Sequence, residues 1–226
     1  AGMDSPTNTT LVEMTGAGIR RQIGTAQKAK APAVKEVIAG MIAVLPDTLI
    51  AIRNRALLLL GFAGAFRRSE LVALNLDDLQ ECPEGLRVTV RRSKTDQEGA
   101  GMVKGIPYGR TPDLCPVRTV KAWIAAAGLQ EGALFRGMNR HDKVCSDRLS
   151  GKAVAEIIKR TAKAAGHDPF SFSGHSLRAG LATSAAAAGV CERKIMDQTG
   201  HKSERMVRRY IRDGELFQEN AAGAVL

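Results

Sequence analysis

Between Ser173 and Arg212 the chain sets out His175, Arg178, His201 and Tyr210, residue types that together can hold a phosphate. His175 and Arg178 are three apart, so on a helix they share a face. Ser173 is a suitable N-cap for that helix and Gly189 a suitable residue just past its end. Both side chains then sit near a helix start, where free N–H groups and the helix dipole favour an anion. A second short helix over Cys191 to Thr199 ends at Gly200 and delivers His201. Ser203 can cap a third, on which Met206, Val207 and Tyr210 share a face.

Each residue taken singly has a plainer reading. A histidine near a helix start is most often a cap or a surface residue. A tyrosine beside Met and Val is usually core, its hydroxyl finding a backbone partner. The joint order changes that: H-x-x-R, then G-H, then a tyrosine nine residues after the second histidine. This stretch resembles the catalytic domain of the tyrosine recombinase (phage integrase) family, whose C-terminal signature has these three parts in this order.

The resemblance extends upstream and assigns roles. The segment GAFRRSELVAL resembles the family's arginine motif R-x-S-E-L, which aligns Arg67 with a catalytic arginine and leaves Arg68 as its competitor. Where the family often has glycine two residues earlier, this chain has Ala65. Glu70 would orient the site from behind, although an acid in a first helical turn is common for its own sake. The family places a catalytic lysine on a β-hairpin, and R-S-K-T matches that context at Lys94, with Lys104 on the return strand as the alternative. A hairpin lysine is otherwise a solubilising charge.

These implied roles make one reaction. Arg67 and Arg178 grip the non-bridging oxygens and stabilise the pentacoordinate state. Tyr210 attacks, and its phenoxide leaves more readily than a sugar alkoxide, so the 3′-phosphotyrosyl bond stays reversible. His175 accepts the phenolic proton, Lys94 protonates the departing 5′ oxygen, and His201 hydrogen-bonds the phosphate. The resemblance implies no cofactor and no metal. Only two tyrosines exist, Tyr108 and Tyr210, so few nucleophiles compete.

The elements that must position these groups are legible in part. From Ala33, apolar residues at Val34, Val37, Ile38, Met41, Ile42 and Leu45 follow a helical period up to Pro46. A second helix runs from near Asp47 through Leu60, with Gly61 and Gly64 weakening its end, and Ser69-Glu70 starts a third. Leu86, Val88 and Val90 alternate with polar residues as a half-buried strand, and Met102 to Pro107 reads as the returning one. Further helices are expected over Val117 to Ala127 and Ser150 to Ala165. The fold class expected is mainly α with a small antiparallel β-sheet, the core of a DNA breaking-rejoining enzyme.

Composition agrees with that expectation. The 226 residues are 44% hydrophobic, enough for one real core, and the formal net charge of +10 points to a polyanionic partner. There is no apolar run long enough to span a membrane. Cys82, Cys115, Cys145 and Cys191 are too scattered for a zinc site and read as reduced thiols. Residues 1–31 read as a short helix around Leu11 to Gln22 and a basic linker; residues 32–226 read as the catalytic domain, with a C-terminal tail from about Asp213. Leu216, Phe217, Ala221 and Ala222 recur in that tail at helical spacing.

The expectation is a site-specific recombinase or integrase acting on double-stranded DNA in the cytoplasm, on the nucleoid. The family implies tetramers on paired sites; the free chain is expected to be a monomer. Three alternatives stay open: a DNA-binding regulator that kept the fold without turnover, a type IB topoisomerase-like enzyme, and a metal-dependent nuclease using His175 and His201.

Overall fold

The computed structural model describes residues 7, 9–24, 30–93, 101–139, 141–201 and 203–214. Helix α1 (Thr10–Ile23) buries none of its residues. Helices α2 (Lys35–Ala43) and α3 (Leu49–Ala63) follow, and α3 is the centre of the domain. Thr48 caps α3, its Oγ1 accepting the Ala51 N–H at 3.3 Å. Ala56 to Gly61 are all buried, so α3 is apolar on most of its circumference rather than along one stripe. The helix continues to Ala63, and Gly61, expected to weaken the end of a helix running to Leu60, lies inside it. A Cβ there would lie 2.7 Å from Leu177 Cδ1, so the glycine allows close packing between neighbouring helices.

Helix α4 (Arg68–Ala73) leads through a 3-10 turn at Leu76–Asp78 into an antiparallel sheet of β1 (Leu79–Cys82), β2 (Gly85–Val90) and β3 (Met102–Pro107). Leu86, Val88 and Val90 of β2 face the core, as their alternation demands. Register pairs Val88 with Lys104 and Leu86 with Ile106, which puts Lys104 on the core face. Helix α5 (Pro116–Ala126) covers α3, and its Trp123 donates to the Leu134 carbonyl at 2.8 Å.

A second antiparallel pair, β4 (Arg136–Met138) and β5 (Val144–Arg148), precedes helix α6 (Gly151–Ala164). The sequence reading had one sheet and missed β1, β4 and β5. Ser150 caps α6 by accepting the Ala153 N–H at 3.1 Å.

Helices α7 (Ser176–Ala187), α8 (Glu192–Thr199) and α9 (Glu204–Gly214) complete the described chain. Helix α7 starts at Ser176, with His175 at the N-cap position; Ser173, expected as the cap, lies two residues further out, where its Oγ accepts the His175 N–H at 3.2 Å. Gly189 ends the helix in a left-handed conformation, and Gly200 does the same for α8. Ala182, Ala186, Ile195 and Val207 form a small cluster of their own, apart from the main core, with Tyr210 and Ile211 packed on it. Met206, expected on that face, is 58% exposed.

Candidate active site

The arginine segment begins where α3 stops. Gly64 and Ala65 turn the chain, and Ala65 takes a positive φ of 46° that a side chain rarely adopts. Arg67 follows in an extended conformation as the residue preceding α4. Glu70 holds it twice: Oε2 accepts the Arg67 backbone N–H at 2.9 Å, and Oε1 lies 2.5 Å from Nη1. Glu70 is 3% exposed, so this carboxylate is committed to that arginine. Arg68 is exposed and its side chain lies against Gly151 and Gly174.

Arg178 comes from the first turn of α7 and is 2% exposed. Its Nη1 donates to the Ala65 carbonyl at 3.0 Å, while Nη2 is buried without a hydrogen-bond partner among the described residues. Burial, then the Arg67 charge, pushes its pKa down to about 10. A buried guanidinium N–H left unpaired is expensive and marks a place for an acceptor.

His201 follows the left-handed Gly200 at the end of α8 and is buried. Thr199 Oγ1 sits 2.8 Å from its Nδ1 and 2.7 Å from the Ile195 carbonyl. The hydroxyl proton belongs to that carbonyl, which assigns the Nδ1–H tautomer and leaves Nε2 as the working nitrogen. Burial first, then Arg178, Arg67, His175 and Lys104, pushes the His201 pKa down to about 4. Its ring stacks on Tyr210 with centroids 6.0 Å apart. His175 is exposed at the head of α7 and close enough to contribute to that shift.

Lys94 lies outside the described residues. Lys104, the alternative lysine, is 2% exposed. Its Nζ donates to the Gly64 carbonyl at 2.6 Å and the Gln198 carbonyl at 2.7 Å, and lies 5.0 Å from the Phe66 ring centroid. Burial, opposed by Glu70 and reinforced by Arg178 and Arg67, brings its pKa down to about 7. Sequence reasoning did not foresee this depth. The available signal was register: Lys104 alternates with Met102 and Ile106 on the inward side of β3.

The structure thus brings Arg67, Glu70, Arg178, His201 and Tyr210 together and adds Lys104. Among the described residues no group of His, Cys, Asp and Glu could hold a metal ion. The guanidiniums of Arg67 and Arg178, with the Lys104 amine beside them, face a single carboxylate, Glu70, an imbalance suited to a phosphate.

The profile of the phage integrase family matches residues 34–215, a span that contains every one of these positions. The chain belongs to the phage integrase family.

Within the family, this integrase-type domain is 42% identical over 223 residues to an integrase/recombinase xerD homolog of Selenomonas ruminantium, covering 98% of this chain and 65% of that protein. It is 30% identical over 173 residues to tyrosine recombinase XerD of Corynebacterium glutamicum, covering 74% of this chain and 51% of that one. The chain therefore spans about half to two thirds of these relatives' length. In fold, it is similar to the XerH site-specific recombinase solved on palindromic difH substrate after cleavage, at a TM-score of 0.69 and 15% identity over 91% of this chain and 56% of that one. The mainly helical integrase fold with small antiparallel sheets is as expected. No helix among the described residues is long and apolar enough to cross a membrane.

Proposed function

We propose that this chain is the strand-cleaving and rejoining part of a site-specific DNA recombinase or integrase, working on the nucleoid in the cytoplasm. The observation that carries the reading is the buried Nη2 of Arg178, unpaired among the described residues, in a cluster of basic groups beside Tyr210. A phosphodiester supplies the acceptor and the negative charge that this cluster lacks.

In this reading Tyr210 Oη bonds to phosphorus as the P–O5′ bond breaks, leaving the DNA 3′-linked to the protein. The phenolic proton passes to His175 and the 5′ oxygen takes a proton from Lys94. Arg178 and Arg67 bind the non-bridging oxygens, and Glu70 keeps the Arg67 guanidinium from turning away. His201 donates through Nε2 once the phosphate charge has favoured its protonation. Attack by a 5′-hydroxyl reverses the step on the same or another strand. Double-stranded DNA is the partner, and assembly on paired sites would bring four protomers together.

The test is incubation with a pool of nicked duplexes of randomised sequence, followed by recovery of denaturant-resistant protein–DNA adducts. An adduct that Tyr210→Phe abolishes and Tyr108→Phe retains is expected. DNA binding without any adduct would instead favour the non-cleaving regulator, and an adduct surviving in Tyr210→Phe would overturn the nucleophile.

A further inference from the structure

The three residues at the end of α3 each offer a carbonyl to a different part of the fold. Ala63 O accepts from Gln198 Nε2 at 2.8 Å, Gly64 O from Lys104 Nζ at 2.6 Å, and Ala65 O from Arg178 Nη1 at 3.0 Å. Carbonyls at a helix end are ordinarily satisfied by water or by the following turn. Here β3, α7 and α8 satisfy them, and Arg67 lies two residues beyond. Lys104 also bonds the Gln198 carbonyl, three residues before His201. One amine therefore joins the turn that presents Arg67 to the turn that presents His201.

Stability alone does not account for a lysine at this place. A methionine would fill the same volume without losing the hydration of an ammonium beside Arg67 and Arg178. What methionine lacks is the pair of N–H donors, and a lysine has two of these whether charged or neutral.

We propose that Lys104 is a positioning residue for strand cleavage, tying the Gly64 and Gln198 carbonyls so that Arg67 and His201 meet one phosphate in fixed register. The inference rests on reading the site as one that cleaves DNA strands. Its structural half can be tested apart from that reading.

The full chain is compared with Lys104→Met and Lys104→Gln by hydrogen exchange over 62–70 and 195–201, and by single-turnover cleavage of a nicked duplex recovered from the randomised pool. In Lys104→Met both segments should exchange faster together. Cleavage should fall by about 10- to 100-fold, the usual scale for a misplaced catalytic group. The loss should be equal for a 5′-oxygen and a 5′-sulfur leaving group, while DNA affinity changes by no more than about threefold, a shift below one factor of ten in binding. Lys104→Gln, which can reach one carbonyl but not both, should show a smaller version of both effects, and it decides the matter if the methionine variant does not fold.

Rescue by sulfur would make Lys104 the proton donor and overturn the proposal. Faster exchange confined to β2 and β3 with cleavage intact would reduce it to a filler and also overturn it. Failure of the unmodified chain to form any adduct strikes the cleavage reading instead, and the paired exchange result then judges the tie alone.

Discussion

Glu70 holds Arg67 by its backbone and its guanidinium at once, at 2.9 and 2.5 Å, from a position almost closed to solvent. The carboxylate therefore fixes both where the arginine's chain enters α4 and where its charge points. Glu70→Gln keeps the size but cannot accept both bonds, since one oxygen becomes an N–H₂ facing a guanidinium. It should lower adduct formation by about tenfold or more and cost roughly 1–3 kcal/mol of stability. Single-turnover cleavage and thermal unfolding measure the two effects. An unchanged cleavage rate would separate Glu70 from the chemistry.

The two lysines are distinguished by the leaving group. Replacing the bridging 5′ oxygen by sulfur removes the need for a proton donor, because a thiolate leaves unaided. Lys94→Ala should cleave the sulfur substrate and not the oxygen one; Lys104 variants should fail on both alike. The reverse pattern would exchange their roles.

Acid should weaken the folded domain, and DNA should bring protons with it. Burial and neighbouring cations lower the His201 pKa from 6.5 to about 4 and the Lys104 pKa from 10.5 to about 7. Both are bases held neutral by folding, so the unfolded chain binds more protons and stability rises with pH across each interval. The His201 contribution is complete above about pH 6.5 and disappears towards pH 4, whereas the Lys104 contribution is still growing above pH 7. Lys104→Met should flatten the upper part of the melting-temperature curve. A bound phosphate adds negative charge and raises both values. Calorimetric DNA binding near pH 8 should then show net proton uptake, read from heats in buffers of different ionisation enthalpy. Identical heats would contradict it.

The tail carries the fourth prediction. Residues 215–226 lie outside the described residues, so the amphipathic spacing of Leu216, Phe217, Ala221 and Ala222 remains a reading of sequence. A chain stopped after Asp213 is expected to bind DNA as a monomer and to lose higher-order complexes on paired sites. Gel shift and light scattering on both chains check it, and equal assembly by the shortened one would rule out the tail as the link.

What the sequence disclosed and what it concealed divide along physical lines. Helices α2 and α6 were legible through an apolar period with a proline stop or a cap, as Ser150 caps α6, whereas α3 was legible as a long apolar run between Thr48 and Gly64. Strands β2 and β3 were legible through alternation. The 3–5-residue strands β1, β4 and β5 were not, because so few residues show no period and their pairing is decided by partners. Arg67, His175, Arg178, His201 and Tyr210 were singled out through motif order, and the fold places Arg67, Arg178, His201 and Tyr210 near one another. Lys104 was read only as the alternative hairpin lysine and Gln198 not at all, since both bond backbone carbonyls, which leave no trace in residue type. The left-handed Ala65 also fell outside local rules, as its conformation is imposed by the bonds its neighbours make.

Tyr210 rides on a helix whose anchorage is a cluster of four fully buried residues, three of them shared with α7 and α8, while the rest of the domain shares a single large core. Tyr210 therefore packs on the small cluster, whereas Phe66 and Leu177, the sequence neighbours of Arg67 and Arg178, belong to the large one. Helix α9 is held there by Val207, by Tyr210 and Ile211 packed on the same cluster, and by the Arg208–Glu192 pair to α8. The position of Tyr210 is thus set by the seam of α7, α8 and α9, and changes in that seam should be felt at the tyrosine before they reach the main core.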